Sequence, residues 1–284
     1  MEEVEVKIIS SPGSANFKKI YNLYSKVFVL KSQRESFRGF EKILGFNSNK
    51  KLLGKYGEFE ETWIGFFHKG KVVGAINFST YSMPSEIYKK YGVKGTSQII
   101  YIFVDGKYRE HGIGSELLKE AENYSKSFVD GKVVVFCEDN NPLLMTIKEY
   151  FDDNKIVGFD QCDRLIWWAN HGYKRIDFDY VQPPLNQRAE ICHILSLSVK
   201  FSAKEISSEI VLEHLRRFFE LSILKEKNLR NYSYVEEKHG LHEKRKLKLV
   251  GSKKEYLKLK KNIYALKDKI GKKDFGKKIG ELVK

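Results

Sequence analysis

A continuous apolar strand that runs into a glycine-rich turn and then a helix constrains this chain more than any other feature. The stretch is IIYIFVDGKYREHGIGSELLKEAENYSK, from Ile99 to Lys126. Its first residues do not alternate with polar ones, as in a strand buried on both faces. After the two glycines, apolar residues recur at helical spacing at Ile113, Leu117, Leu118 and Ala121. A second strand, KVVVFC, follows, so the segment predicts a β-α-β unit with parallel strands.

The flanking segments predict helices around a mixed sheet. SANFKKIYNLYSKVF and SFRGFEKILG have helical periodicity, and ETWIGFFHKGKVVGAINFSTYS indicates a hairpin that turns at Lys69-Gly70. We expect a loop through Pro84 and a central strand over Ser97–Val104. Further helices are predicted in NPLLMTIKEYFDD and DRLIWWANHG, and strands in YKRIDFDYV and EICHILSLSVKF. The order of elements indicates an α/β fold that contains an antiparallel hairpin and one parallel strand pair.

Residues 202–284 predict a helical extension to this core. Ser202 and Glu205 have the spacing of a capping box, and Ser252 and Glu255 repeat it before the last helix. The apolar stripe of that last helix consists of Tyr256, Leu259, Ile263, Leu266 and Ile270, and Gly271 is expected to end it. We therefore divide the chain into a domain over 1–201 and a helical C-terminal extension with a basic tail over 202–284.

The positive charge is concentrated at the C-terminal end. From Gly240 to Lys284 there are 16 Lys and Arg against 5 Asp and Glu, a net charge of +11, whereas the first 239 residues carry only +3. An acidic partner would explain such a tail, and so would a solvated lysine-rich surface. The scarcity of arginine and the lack of an aromatic stacking platform favour the solvated surface.

Composition also excludes some classes of protein. No run approaches the roughly 18 apolar residues that a membrane span needs, and the start MEEVEVKII does not resemble a signal peptide. The three cysteines have neither paired nor metal-ligand spacing. We therefore expect a cytoplasmic protein without a metal site.

The turn between the central strand and its helix can hold a diphosphate. The first N–H groups of a helix have no intrahelical partner and lie at its positive end. Glycine lets the backbone approach a ligand closely, and an arginine nearby adds a planar donor fork. Leu117 stands where a dinucleotide fingerprint needs its third glycine, and no Gly-Lys pair precedes Ser or Thr. Neither a dinucleotide fingerprint nor a P-loop is therefore present.

Arg109-Glu110-His111-Gly112-Ile113-Gly114 resembles the Arg/Gln-x-x-Gly-x-Gly/Ala signature of the GNAT superfamily of acyl-CoA-dependent N-acetyltransferases. The later segment RLIWWANHGYKRIDFDYVQPPL is similar to that family's helix–strand block, with Gly172-Tyr173 where Gly-Phe is usual. The resemblance covers roughly Val4 to Phe201. It implies a GNAT-like α/β fold with a mostly antiparallel central sheet flanked by helices, in which the two parallel strands splay apart around the pantetheine arm of acetyl-CoA or another acyl-CoA.

The resemblance also implies which residues contact the cofactor. Free N–H groups near Phe103 and Val104 would bind pantetheine and polarise the thioester carbonyl, and the glycine turn would bind the pyrophosphate. Gln161 takes the place of a family asparagine, and Asn141 is an alternative to it. The residues assigned to the cofactor are Phe103, Val104, Arg109, Glu110, His111, Gly112, Ile113, Gly114, Ser115, Asn141 and Gln161.

The catalytic residues depart from the family pattern. Trp168 occupies the position of the tyrosine that usually protonates the leaving thiolate, and an indole N–H is not a practical proton source. Glu138 and Asp105, which end the two parallel strands, are the candidate general bases, although a surface carboxylate is the simpler interpretation of each. Tyr180 is nearby in sequence, and packing is its simpler interpretation.

The predicted function is transfer of an acyl group, normally acetyl, from acyl-CoA to a small-molecule or protein amine by direct attack. Two alternatives stay open. One is a non-catalytic CoA-binding regulatory or interaction module, which Trp168 favours. The other is a long-chain acyltransferase that uses an acyl carrier protein, which a basic tail would attract. A homodimer is also left open, and the sequence does not identify the acceptor.

Overall fold

The computed structural model describes residues 4–29, 34–184, 191–226, 239–241, 244–267, 269 and 274–283. The chain divides into two compact units. The first comprises Met1–Cys137 and Glu209–Lys227, and the second comprises Glu138–Ser208 and Asn228–Lys284. The functional division at residue 201 stays a prediction.

The first unit contains a five-stranded sheet with helices on both sides. Its strands are β1 (Glu5–Ile9), β2 (Phe59–His68), β3 (Lys71–Ser82), β4 (Gly95–Val104) and the first part of β5 (Val133–Asn140). Its helices are α1 (Ala15–Val27), α2 (Phe37–Phe46), α3 (Lys50–Tyr56), α4 (Ser85–Tyr91) and α5 (Ile113–Phe128). The second unit begins at Glu138 within β5.

The second unit combines short strands with helices. Its further elements begin with α6 (Ile147–Val157), α7 (Gln161–Asn170), β6 (Tyr173–Ile176), β7 (Leu195–Lys200) and β8 (Glu205–Ser207). The chain then returns to the first unit in α8 (Ser208–Arg217) and a π-helical segment over Phe218–Ile223. The second unit ends with β9 (Lys246–Val250), α9 (Lys253–Lys267) and α10 (Ile279–Leu282).

The sheet of the first unit confirms the predicted fold class. Its strand order is β1-β2-β3-β4-β5, and all neighbours are antiparallel except β4 and β5. The parallel pairing runs from Gly95 opposite Val133 to Ile99 opposite Cys137. The chain between these two strands forms α5, so the predicted β-α-β unit is present.

The hairpin between β2 and β3 turns where the sequence predicts. Lys69 and Gly70 have φ angles of 49° and 74°. Two consecutive residues in the left-handed region are typical of the type I′ turn, whose twist matches that of paired strands. The turn therefore fixes the register of β2 against β3.

A β-bulge interrupts β4 near the end of its pairing with β5. Asn77 of β3 lies opposite Tyr101, whereas the next residue of β3, Phe78, lies opposite Ile99, which leaves Ile100 as an extra residue. A bulge bends a strand and increases its local twist, and bulges are frequent next to active sites. The described pairing of β4 with β5 ends at Ile99. The bulge therefore gives a physical reason for the two strands to part there.

Helices α1 and α2 cover one face of the first-unit sheet with aromatic side chains. Phe17, Tyr24, Phe40, Trp63 and Phe103 are all buried and form one core cluster. Ser14 begins α1 and Ser36 begins α2, and each side chain accepts a hydrogen bond from the backbone three residues on. The helical periodicity of both segments is thus confirmed.

The last long helix packs as its apolar stripe predicts. Ile263 of α9 is buried with Cys162 of α7 and Tyr150 of α6. The predicted capping box is present, because Ser252 N–H donates to the Glu255 carboxylate at 2.5 Å and Glu255 N–H donates to Ser252 Oγ at 3.3 Å. The predictions for Ile270 and Gly271 lie outside the described residues.

Some local predictions are wrong. The expected loop through Pro84 contains α4, and NPLLMTIKEYFDD forms a 3-10 turn over Pro142–Leu144 followed by a separate helix that Thr146 caps. Glu205 begins a strand rather than completing a capping box. The extension is also not purely helical, because β8 pairs with β9, which pairs with β6.

None of the described helices combines the length and apolar character needed to cross a bilayer.

Candidate active site

The N-terminus of α5 presents backbone donors that no side chain occupies. Gly112 is the N-cap residue, with a φ of 77°, and no side chain makes a capping hydrogen bond there. A Cβ on Gly112 would meet nothing within 4 Å, so the approach to this turn is open. Within the described part of the chain, the N–H groups of Ile113 and Gly114 have no partner. The helix therefore begins with donors directed at open space.

Residues before the helix shape the same turn. Glu110 has a φ of 67°, so the backbone visits the left-handed region twice within three residues. His111 Nδ1 lies 2.7 Å from the Arg109 carbonyl oxygen, which fixes the Nδ1–H tautomer. Arg109 is exposed, and its guanidinium forms no ion pair with any residue that the structure describes. Such alternating backbone makes an anion-binding concavity, and Arg109 adds a positive charge beside it.

Gly74 of β3 allows α5 to approach the sheet. A Cβ at this position would lie 3.0 Å from the Phe103 carbonyl oxygen and 3.1 Å from side-chain carbons of Ile113 and Leu117. Any larger residue would push the first turn of α5 outward. Nothing in the sequence signals the role of Gly74, because this role depends on residues about 30 to 40 positions away.

Hydrogen bonding of β4 defines which of its amides are directed away from β3. Asp105 N–H donates to the Val73 carbonyl oxygen at 2.9 Å. Directions alternate along a strand, so the amide of Phe103 also points toward β3. The amides of Ile102 and Val104 point to the other side. Val104 thus has the direction that the resemblance implies, whereas Ile102 rather than Phe103 is the second such residue.

Asp105 has a local structural role. Its Oδ1 accepts a hydrogen bond from Lys107 N–H at 3.0 Å and caps the 3-10 turn over Gly106–Tyr108. A carboxylate used in this way still carries a free oxygen, but the capping bond explains its presence without catalysis.

Glu138 lies in a cluster of hydrogen-bond donors in the second unit. The Tyr180 hydroxyl donates to Glu138 Oε1, and Gln182 Nε2 lies 3.0 Å from each carboxylate oxygen. His239 stacks on the Tyr180 ring with centroids 5.6 Å apart and holds the backbone of Val181 through Nε2. This cluster fixes the orientation of the carboxylate and gives a polar role to Tyr180, for which packing was the simpler interpretation.

The surroundings of Glu138 suit a base that works near neutral pH. Burial raises its pKa to about 7, partly offset by hydrogen bonds from Tyr180 and Gln182. Burial, followed by the nearby charge of Glu138, raises the pKa of Tyr180 well above its ordinary value. Tyr180 therefore remains a neutral hydrogen-bond donor to Glu138 across the physiological range.

Trp168 is a buried structural donor. Its indole Nε1–H donates to Asp139 Oδ1 at 2.9 Å, and only 5% of the residue is exposed. This bond places Asp139 on the face of β5 that α7 covers. Because successive side chains of a strand alternate, Glu138 lies on the opposite face.

Asn141 and Gln161, the two amides assigned to the cofactor, have other contacts. Asn141 Oδ1 accepts from Leu143 N–H at 3.1 Å and caps the following 3-10 turn. The Gln161 side chain donates to Asp153 of α6, while its Oε1 is buried without a partner among the described residues. Their assignment to the cofactor stays a prediction, as do the roles of Glu110, His111 and Ser115.

A second carboxyl with a raised pKa lies in the core of the first unit. Glu61 of β2 is 2% exposed and accepts hydrogen bonds from Asn77 Nδ2 at 2.6 Å and from Ser79. Burial raises its pKa to about 7. Nothing in the sequence signals this group, because the three residues lie on two strands whose pairing brings them together.

Metal chemistry has no obvious set of ligands here. In the ranges that the structure describes, no three or more His, Cys, Asp or Glu side chains are grouped so that they could hold a metal ion.

One comparison with known proteins finds a family match in the first half of the chain. Residues 17–144, somewhat under half of the chain, match the model of the Acetyltransferase (GNAT) family. A comparison of the sequence with curated proteins found no match. The matched region contains strands β2 to β5, the glycine turn and Glu138.

Solved structures with detectable similarity include several acetyltransferases. Arabidopsis thaliana Naa50, in complex with the bisubstrate analogue CoA-Ac-MVNAL, aligns with 70% of this chain and 99% of its own at 14% identity and a TM-score of 0.40. An IAA acetyltransferase from Bacillus cereus aligns with 69% and 98% at 15% identity and a TM-score of 0.38. An aminoglycoside acetyltransferase from an uncultured soil metagenomic sample aligns with 54% and 86% at 17% identity and a TM-score of 0.34.

Those structural similarities are too low to support an inference, so the assignment rests on the matched region. That region carries the glycine signature, the β-α-β unit and the uncapped helix that the sequence predicts. Residues 17–144 therefore match the GNAT acetyltransferase family, and the activity that this match supports is acyl-CoA-dependent N-acetylation.

Proposed function

We propose that the protein transfers an acetyl group from acetyl-CoA to an amine, with the cofactor at the N-terminus of α5 and Glu138 as general base. The observation that carries this proposal is the uncapped start of α5, inside the region that matches the family. When bound, acetyl-CoA supplies the thioester that the amine attacks. The residues of the chain bind acetyl-CoA, orient it for attack by the amine, and accept a proton from the amine.

The glycine turn suits the pyrophosphate. The amides of Ile113 and Gly114 and the positive end of the helix supply donors, and the open side of Gly112 leaves room for a phosphate. Arg109 adds a charge that no described acidic residue neutralises. The amides of Ile102 and Val104, directed away from β3, would then bind the pantetheine arm as an added strand does.

Glu138 is the better of the two candidate bases. A pKa near 7 leaves this carboxylate partly ionised at neutral pH and basic enough to accept a proton from the ammonium form of the acceptor, which frees the amine to attack. Asp105, by contrast, is used as a turn cap. The proton donor for the leaving thiolate stays unassigned, since Trp168 is committed to Asp139.

Several finer points remain proposals that the sequence favours. We propose a small-molecule or protein amine as acceptor. We also propose a cytoplasmic location, because the three cysteines form no disulfide. Lysines of α9 and the residues around it would interact with any acidic partner. The family match gives no support to the non-catalytic alternative. Comparing acetyl-CoA with long-chain acyl-CoA and acyl carrier protein donors tests the remaining one.

A matched pair of variants tests the assignment of the base. Glu138→Gln should lower kcat/KM for the amine at least about 100-fold while the Kd for CoA stays unchanged. Asp105→Asn keeps an oxygen that can accept from Lys107, so it should retain nearly the full rate. Thiol release from acetyl-CoA with an amine panel measures the rate, and calorimetry measures Kd.

Two results would contradict the proposal. If Asp105→Asn is slow and Glu138→Gln is not, the base is Asp105. If Arg109→Gln, which changes an exposed side chain, leaves the Kd for CoA unchanged at low salt, the cofactor does not use this turn.

A further inference from the structure

A cavity of about 200 Å³ lies inside the second unit, between the β6–β9 pair and helices α7 and α9. Arg175 of β6 and Glu255 of α9 contribute charged groups, and Asn141 and Ser196 contribute buried polar ones. Leu165 and Leu259 contribute to its apolar wall. Glu255 is exposed, whereas Asn141 and Ser196 are not, so the cavity opens beside Glu255.

The two charged residues do not neutralise each other. The described contacts include no ion pair between Arg175 and Glu255, and they give the Arg175 guanidinium no hydrogen bond either. Glu255 is held at the helix start by Ser252, as described above. Hydrogen bonding from Ser252, with a smaller contribution from the charge of Arg175, lowers the pKa of Glu255, so it stays ionised. One cavity therefore contains a separated positive and negative charge.

The cavity lies on the opposite face of β5 from Glu138. Trp168 holds Asp139 on the face that α7 covers, and Ser196 Oγ lies 3.4 Å from the Asp139 carbonyl oxygen. Glu138 alternates with Asp139 and points to the other face, toward Tyr180 and Gln182. A molecule bound beside Arg175 would therefore not deliver its amine to Glu138.

We infer that this cavity binds a free aliphatic α-amino acid as a ligand distinct from the acetyl acceptor. Arg175 takes the carboxylate, Glu255 takes the ammonium group, and Leu165 and Leu259 contact the side chain. Glu255 would repel a simple anion and Arg175 would repel a simple ammonium ion, so the zwitterion fits best.

The size of the cavity sets the size of the ligand. Since one water takes about 30 Å³ of liquid volume, the cavity has room for about seven waters, and hence for a ligand of roughly seven to nine non-hydrogen atoms, which covalent bonds bring closer together. Drug-sized ligands occupy pockets of about 300 Å³ or more and are too large. L-valine and L-leucine match both the volume and the apolar wall.

The experiment uses calorimetric titration of the full-length protein with L-valine, 3-methylbutanoate and isobutylamine, in the absence of acyl-CoA. The two analogues lack the amino and the carboxylate group of L-valine, and each should bind at least about tenfold more weakly than L-valine. Equal affinity of the three compounds, or no binding of either L-valine or L-leucine at millimolar concentration, would overturn the inference.

Three variants assign the charges. Arg175→Gln should abolish L-valine binding. Glu255→Gln keeps an acceptor for the Ser252 cap, and should bring L-valine and 3-methylbutanoate to similar affinities. Lys248→Gln is the control, because it removes a positive charge from β9 without changing a residue that lines the cavity. Unchanged L-valine binding by Arg175→Gln would refute the assignment.

A last arm separates this site from the acetyl-transfer site. Glu138→Gln should bind L-valine as the unmodified protein does, whatever its transferase rate, so this result is independent of the proposed function. Mass spectrometry with acetyl-CoA should detect no N-acetylvaline. Formation of N-acetylvaline that Arg175→Gln prevents would show that the cavity is the acceptor site and overturn the distinction.

Discussion

Replacing Tyr180 with Phe tests the chemistry of Glu138 most directly, because it removes one hydroxyl and leaves the ring. That hydroxyl donates to Glu138 Oε1, and hydrogen bonds to an ionised carboxylate favour the ionised form. Removing the donor should therefore raise the pKa of Glu138 above its value of about 7. Phe preserves the stacking on His239, so the fold of the segment should be retained.

The size of the change follows from the remaining donors. A hydrogen bond to a charged group contributes about 1.5–3 kcal/mol, and one pKa unit corresponds to about 1.4 kcal/mol. Gln182 still donates to both oxygens at 3.0 Å, so the lower end of that range applies. We expect the pKa of Glu138 to rise by about one unit, to roughly 8.

The assay is the pH dependence of kcat/KM for the amine at saturating acetyl-CoA. A base must be deprotonated to act, so the rate should rise with pH through the pKa of Glu138, and in Tyr180→Phe this rise should occur about one pH unit higher. Two amines of different basicity separate the ionisation of the enzyme from that of the acceptor.

Tyr264→Phe is the matched control. The Tyr264 hydroxyl also donates to a carboxylate, Asp160 Oδ2, at 2.9 Å, but on the far helix α9. It should leave the pH profile unchanged. A profile that Tyr180→Phe does not move, or moves to lower pH, would refute the claim that this hydroxyl stabilises an ionised catalytic carboxylate.

Two further substitutions test parts of the first unit. Gly74→Ala should lower the free energy of unfolding by about 1–2 kcal/mol and raise KM for acetyl-CoA, because the added Cβ presses on the first turn of α5. The control is Gly54→Ala in α3, where a Cβ meets nothing within 4 Å, so this variant should be more stable by up to about 1 kcal/mol. Chemical denaturation measures the stabilities and initial rates measure KM; equal stability of the two variants would contradict the packing argument. The pKa of Glu61 is raised, so the folded protein binds this proton more tightly than the unfolded chain does. Stability that is present below about pH 4.5 is therefore lost as the pH rises to about 7, by roughly 3 kcal/mol. Glu61→Gln should remove that part of the pH dependence in urea denaturation curves at pH 4 and pH 8; the same pH dependence in the variant and the unmodified protein would show that Glu61 is not responsible.

The cofactor turn could be predicted from the sequence because its parts are adjacent in the chain. A buried strand, Arg109, two glycines and an amphipathic helix occur within 28 residues, and local backbone geometry is sufficient to make the donors of α5. The α/β class, the hairpin and the parallel strand pair followed from periodicity and the order of elements for the same reason. Element ends were predicted less well where short polar segments, such as α4, have weak periodicity.

The environment of Glu138 could not be predicted in this way. Tyr180 and Gln182 follow it by 42 and 44 positions, in a segment that reads as an irregular strand end. The alternation within YKRIDFDYV predicted a long strand, yet β6 ends at Ile176 and the following residues turn back to Glu138. Prolines at 183 and 184 explain the end of pairing but give no indication of where the preceding tyrosine will point.

Trp168 connects these two sides of the second unit. As a replacement for the usual tyrosine it removes a proton donor, which on sequence alone argues for lost catalysis. Its indole N–H instead donates a hydrogen bond to Asp139. Because side chains alternate along a strand, Glu138 then lies on the other face, where Tyr180 and Gln182 donate hydrogen bonds to it. The hydrogen bond from Trp168 to Asp139 also helps to place Asn141 and Ser196 in the wall of the cavity that Arg175 lines. A single buried hydrogen bond thus supports both the proposed base and the proposed amino-acid site, which is why the two have to be tested with variants on opposite faces of β5 rather than by changing Trp168.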